Sequence, residues 1–201
     1  MEVTATQFEK QIVPALQKEL GVRNRYQVPH MEKIVVNAGF GRAVAGEDKK
    51  EQRAKVFEQV TKMLSLITGQ KPSVRAAKKS IAGFKIRQGD TIGMSVTLRG
   101  KRMFDFLERF VNVALPRVRD FRGLSQSVVD PRGICTVGIK EHAIFPELMT
   151  EDFGRTYGLQ VTVVPTVRSR EAGLALYRAL GFPFKKQADE PNAKKSRRKK
   201  K

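Results

Sequence analysis

The residues best placed to do chemistry lie between Thr68 and Gly100. Lys71, Arg75, Lys78, Lys79, Lys85, Arg87 and Arg99 supply cations there, and no acid interrupts them until Asp90. Ammonium and guanidinium groups at this density suit phosphate oxygens, and Gly69, Gly83, Gly89, Gly93 and Gly100 let the backbone turn or come close to a ligand. Val74, Ile81, Phe84 and Ile92 are expected to anchor the stretch, which sets it apart from an unstructured basic tail. Phe84 and Phe121 read first as core or loop-anchoring rings, and second as rings that stack on a base or a partner.

Other chemistry finds less support. Gly39-Phe40-Gly41 follows a β-rich run, but the next glycine is Gly46, so the dinucleotide-binding spacing fails. Gly100-Lys101 continues into Arg102 and lacks the upstream glycine of a phosphate-binding loop. Cys135 and His142 could be imagined as nucleophile and base, yet Cys135 sits in an apolar run where cysteine packs as a small hydrophobe. Glu141, Glu147, Glu151 and Asp152 could be drafted as metal ligands, but Lys140 and Arg155 nearby offer simple ion pairing. One cysteine and two histidines are too few for a disulfide framework or the usual zinc sites. No cofactor, metal or catalytic centre is expected.

The elements that must position the basic stretch follow from periodicity. Thr6 with Glu9 suggests a capping box, and Phe8, Ile12, Val13, Leu16 and Leu20 share a helical face that Gly21 ends; Pro14 predicts a helix that bends or begins late. Residues 32–38 read as a strand and Phe57, Val60, Leu64 and Ile67 as the face of a second helix ending at Gly69. A short strand is expected at 73–76. Residues 91–99 form the clearest strand, with Ile92, Met94, Val96 and Leu98 on one side and Thr91, Gly93, Ser95, Thr97 and Arg99 on the other. Residues 101–115 predict a helix buried through Met103, Phe106, Leu107, Phe110, Val111 and Ala114 and stopped by Pro116. An arginine-rich connection, 116–133, carries Arg117, Arg119, Arg122 and Arg132. Strands at 134–139 and 159–164 and a helix at 169–180 complete the chain. Loops this short favour antiparallel pairing, so the expected fold is α+β: a largely antiparallel sheet with helices packed on one face, the other face open to a ligand.

The whole chain is basic. Its 201 residues carry 39 Lys+Arg against 20 Asp+Glu, a formal charge of +19, and residues 185–201 account for only +7 of it. The remaining +12 belongs to the expected folded part, so a polyanionic partner is expected for the body as well as the tail. Residues 1–186 read as a single domain and 187–201, without core-forming side chains, as a disordered basic tail. The first residues lack signal or transit character, and no stretch approaches the ~18 apolar residues of a membrane span. The expected location is the cytoplasm.

Several segments resemble one family in its own order: KIVVNAGFG at 33–41, TGQKP at 68–72, KKSIAGFKIRQG at 78–89, VTLRGKRMFDFLERF at 96–110, ALPRVRDFRGLS at 114–125, EHAIFPE at 141–147 and LGFPFKK at 180–186. They are similar to the bacterial-type large-subunit ribosomal protein L-five family. The resemblance implies a non-catalytic constituent of the central protuberance that binds 5S rRNA and helps attach it to the large-subunit rRNA, beside neighbouring large-subunit proteins and not as a homo-oligomer. It assigns Asn37, Gln70 and Thr97, with Lys71 and Arg99 beside them, to 5S rRNA. It assigns Lys78, Lys79, Ser80, Phe84, Lys85 and Arg87 to a loop that reaches the P-site tRNA. Arg119, Arg122 and Arg132 fall on the edge that meets protein thirteen of the small-subunit head in an intersubunit bridge. The chain departs from the family at Asp130-Pro131-Arg132-Gly133-Ile134-Cys135, where Asp-Gly-Arg-Gly-Asn-Tyr is usual. A free-standing RNA chaperone or RNA-modifying protein is the alternative that charge alone leaves open.

Overall fold

The structure, a computed structural model, describes residues 8–41, 50–84, 86–148, 153–167 and 169–185. Thr6, Gly46, Lys85, Glu151, Asp152 and the 187–201 tail lie outside the described residues. The chain opens on a π turn, Phe8–Ile12, that runs into helix α1, Val13–Leu20. The wide turn precedes Pro14, which has no N–H to close an i→i−4 bond, and this is the late start the proline predicts. Gly21 ends α1 in the left-handed region at φ 64°.

Five strands follow: β1 (Met31–Gly39), β2 (Ser73–Ala76), β3 (Thr91–Leu98), β4 (Cys135–Ile139) and β5 (Leu159–Pro165). They form one sheet in the order β2-β3-β1-β5-β4, with every pairing antiparallel. The helices are α2 (Lys50–Thr68), α3 (Gly100–Arg109), which continues as a π turn through Phe110–Ala114, and α4 (Arg170–Ala179).

The core lies between the helices and one sheet face. Ile34, Val36 and Ala38 of β1 share that face with Met94, Val96 and Leu98 of β3, Val161 and Val163 of β5, and Cys135, Val137 and Ile139 of β4, all buried. Against them pack Met63, Leu64 and Ile67 of α2, the expected stripe Met103, Phe106, Leu107, Phe110, Val111 and Ala114, and Leu176 and Tyr177 of α4. The sequence places Phe57 on the buried face of α2. It is instead 38% exposed and Val56 takes the buried position, since one residue of offset turns a side chain by 100°.

Tyr177 fastens α4 to the sheet. Its hydroxyl reaches Gly133 O at 2.8 Å and Val163 O at 3.0 Å, and accepts from Cys135 N–H at 3.1 Å. Gly133 in this corner needs glycine on two counts: its φ is +80°, and a Cβ there would stand 2.8 Å from Ser169 O. The Asp130 carboxylate shapes the same turn by accepting from Arg132 N–H and Ile134 N–H at 2.9 and 2.8 Å. Pro131 and Ile134 are therefore compatible with a closed turn despite the departure from the family's usual residues.

Candidate nucleic-acid interface

Strand alternation gives the sheet a second face, and no helix among the described residues covers it. The registers align Ser73, Ser95, Asn37, Gln160 and Gly138 in one row across all five strands, and Thr97, Val35, Thr162 and Thr136 in the next. At ~4.8 Å between strands the longer row spans roughly 19 Å. Apart from Val35 and Gly138, hydroxyls and amides fill these rows, and no formal charge stands in them. Gln160 Nε2 donates to Thr162 Oγ1 at 3.4 Å, and the Thr136 and Thr162 hydroxyls lie 3.5 Å apart.

Cations border this neutral field. Arg75 Nε donates to Ser95 Oγ at 2.8 Å, which covers the serine and holds the guanidinium over the β2 side. Gly93 is buried, and Ala38 O would stand 3.0 Å from any Cβ added there. At one end of the sheet, Lys33 and Arg99 flank Glu32 at 3.2 and 3.5 Å. The Lys33 ammonium, with Arg99 behind it, holds the Glu32 carboxyl below the ordinary carboxylate range.

The structure brings Asn37 and Thr97 onto the open face, Asn37 half-buried in β1 and Thr97 exposed in β3. Gln70 and Lys71 sit in the turn between α2 and β2. Thr68 Oγ1 donates to Leu64 O at 2.6 Å and accepts from Gln70 N–H at 3.3 Å, so the helix end fixes the backbone that carries Gln70. Arg99 follows β3, exposed, in its pair with Glu32. Sequence reasoning missed the outer half of the field, Gln160, Thr162 and Thr136. The signal was the alternation of polar and apolar residues in β4 and β5.

The 77–90 segment extends β2 and β3 as a hairpin. Ala77 N–H bonds Asp90 O, Gly89 N–H bonds Ala77 O, and Ile81 and Ile86 exchange backbone bonds at 2.9 and 3.2 Å. Ser80 Oγ accepts from Gln88 N–H and the Asp90 carboxylate from Arg87 N–H, at 2.9 and 2.8 Å, so the segment's acid is spent on its own turn. Lys78, Lys79 and Arg87 point outward, all exposed. The anchoring role expected of Val74, Ile81 and Phe84 is corrected: they are 44, 48 and 57% exposed, because no helix among the described residues covers this edge hairpin. Phe121, in contrast, packs against the core as expected.

Arg119, Arg122 and Arg132 do not converge. Arg119 lines an open cleft with Arg117, Asp120 and residues 138–141, beyond the C-terminal end of β4. Arg132 belongs to the turn before β4, and a five-residue strand separates the two ends by about 17 Å. Arg122 precedes Gly123 and Leu124, whose backbone is tied to 183–185 through Leu124 N–H to Pro183 O and Lys185 N–H to Leu124 O.

Of the groups considered for catalysis, Cys135, His142 and Glu147 are committed to structure. His142 Nδ1 accepts from Tyr157 N–H at 3.1 Å, its ring meets Phe153 edge-on, and burial holds its pKa below the usual imidazole value. Glu147 pairs with Arg109 of α3, 38 positions away, rather than with the neighbouring cations the sequence suggests. No cluster of potential metal ligands occurs among the described residues. Burial pushes the Cys135 thiol up to about 12. At pH 8 only about 1 in 10⁴ molecules would carry the thiolate, so Ellman's reagent is expected to label the native protein at least ~100-fold more slowly than the denatured one. Equal rates would show an accessible thiol.

Comparison with known proteins gives a consistent result. The family model described as ribosomal protein L5 matches residues 24–87, and the model for the C-terminus of the same ribosomal family matches residues 91–184. The chain is 48% identical over 178 residues to the large ribosomal subunit protein uL5 of Anaeromyxobacter sp. (strain Fw109-5), covering 89% of this chain and 95% of that protein. It is 49% identical over 173 residues to uL5 of Synechococcus sp. (strain JA-2-3B'a(2-13)), covering 86% and 92%. Over 186 residues it is 45% identical to uL5 of Desulfatibacillum aliphaticivorans, covering 92% and 100%.

Proposed function

The chain belongs to the ribosomal protein L5 family, a structural and non-enzymatic component of the large subunit of the cytoplasmic ribosome, and from that premise we propose that it binds 5S rRNA through the open sheet face and helps attach it to the large-subunit rRNA. The single observation that carries this reading is the uncharged row Ser73, Ser95, Asn37, Gln160, Gly138, framed by Arg75, Lys71, Lys33 and Arg99. The shallow minor groove of an A-form helix displays 2′-hydroxyls and base edges, which such a surface can meet with hydroxyls and amides while border cations take the phosphates. Affinity then comes mostly from the border and selectivity from the field.

In the same reading the 77–90 hairpin presents Lys78, Lys79, Ser80, Phe84 and Arg87 to the P-site tRNA, and Lys85 is proposed for the same contact on its sequence position alone. Its exposed Phe84 ring suits stacking. Arg119, Arg122 and Arg132 face the small-subunit head, with Arg119 and the cleft beside β4 the better-formed part of that contact. Residues 1–186 act as one RNA-binding body and 187–201 add charge.

Thr97→Ala tests the field and Gln70→Ala the turn that adjoins it. Each is expected to weaken 5S rRNA binding by roughly 5- to 20-fold, the worth of one or two hydrogen bonds, and to leave the salt dependence unchanged. A fall in the slope of log affinity against log salt would mean that these residues act through phosphates, against the assignment.

A further inference from the structure

Tyr26 is 90% exposed, whereas a tyrosine ring is ordinarily at least partly covered. It does not stand on a loose end. Asn24 Oδ1 accepts from Tyr26 N–H at 2.9 Å, and Gln27 N–H and Val28 N–H close back onto Asn24 O and Arg25 O at 3.1 and 3.2 Å. Val28, buried, and Pro29 then lead through His30 into β1. The backbone thus holds a bare aromatic ring on a rigid turn, with little order left to lose on binding.

Its surroundings identify the kind of occupant. The turn carries Arg23 and Arg25, and it joins the sheet at the end where Lys33, Arg99 and the first residues of α3, Lys101 and Arg102, are gathered. Glu32, at that end, is already held by Lys33 and Arg99. A tyrosine that anchors a protein interface is set in a well-packed pocket whose surround excludes water. Here the flanking residues Asn24, Arg25 and Gln27 are polar and exposed. Any base has a π-face, and a ring among cations meets both halves of a nucleotide.

We propose that Tyr26 is a stacking platform for an unpaired nucleobase of ribosomal RNA, whose strand runs along the cations at this end of the sheet. Tyr26 itself is none of the residues assigned above, although Lys33 and Arg99 border both surfaces, and the proposal rests on the reading of the chain as an rRNA binder.

The chain has no tryptophan, so Tyr26→Trp places a single reporter at the site. Titration with protein-free large-subunit rRNA, and separately with a 12-nucleotide single-stranded oligoadenylate, is expected to quench its fluorescence and shield it from acrylamide. A fully paired duplex should do neither. Tyr26→Ala is expected to weaken binding to the large-subunit rRNA by about 5- to 100-fold and Tyr26→Phe to preserve it, the range for one stacked base. If the indole reporter stays bright and accessible while 5S rRNA still binds, the stacking platform is overturned and the function stands. Shielding in the assembled subunit but not by protein-free rRNA would give the site to a protein neighbour and overturn it equally. If neither RNA binds the unaltered protein, the reading of the function itself fails.

Discussion

Raising monovalent salt from about 50 to about 200 mM is expected to weaken 5S rRNA binding by roughly 10³- to 10⁵-fold, because a body that neutralises ~6 to 10 phosphates releases their counterions on binding. Looped, single-stranded portions of the RNA place the result toward the lower end. The candidates for this electrostatic share are on separate elements: Lys71 and Arg75 beside β2, Lys78, Lys79 and Arg87 on the hairpin, Lys33 and Arg99 at the end of β1 and β3. Removing residues 187–201, which carry seven of the nine cations after Phe184, should flatten the slope and leave the preference for 5S rRNA over a length-matched RNA intact. A nearly salt-independent affinity would contradict the account. So would a preference that disappears with the tail.

Tyr177→Phe is expected to cost about 2 to 4 kcal/mol of stability, with the loss of one oxygen atom as the only change in composition. The ring would stay packed, but Cys135 N–H would lose its acceptor, and Gly133 O and Val163 O the one hydroxyl proton they share, all in the interior. The corner cannot easily relax: Gly133 is already at φ +80°, and Gly173 of α4 is so close that a Cβ there would stand 2.8 Å from Gly133 Cα. For a domain of this size the loss corresponds to a fall of roughly 5 to 15 °C in the melting temperature. The open sheet face lies on the far side from Tyr177, so the folded variant should retain its selectivity for 5S rRNA. A variant as stable as the parent would show that the hydroxyl is not the link between α4 and the sheet.

The parts of this fold readable from sequence are those whose signal is local. Alternation over 91–98 gave β3 and its two faces, and six apolar residues at helical spacing gave the whole buried stripe of α3 and its π continuation. The charged hairpin was readable as a phosphate-seeking segment. The burial of its apolar residues was not, because whether Val74, Ile81 and Phe84 are covered depends on whether a helix reaches the sheet edge. The polar field was only half legible for a related reason. Asn37 and Thr97 were assigned by resemblance, but the alignment of Gln160 and Thr162 with them is a property of strand register between residues more than 60 positions apart in the chain. Likewise the partner of Glu147 is Arg109 on another element, and sequence proximity pointed elsewhere.

The measurement that bears most directly on the division of labour between charge and polar field is the ratio of affinities for 5S rRNA and a length-matched RNA, taken at one salt concentration for the Asn37→Ala/Thr97→Ala double variant. The ratio is expected to fall at least ~10-fold while the affinity for the length-matched RNA and the salt slope stay as they were. An undiminished ratio would remove the open sheet face from the recognition of 5S rRNA.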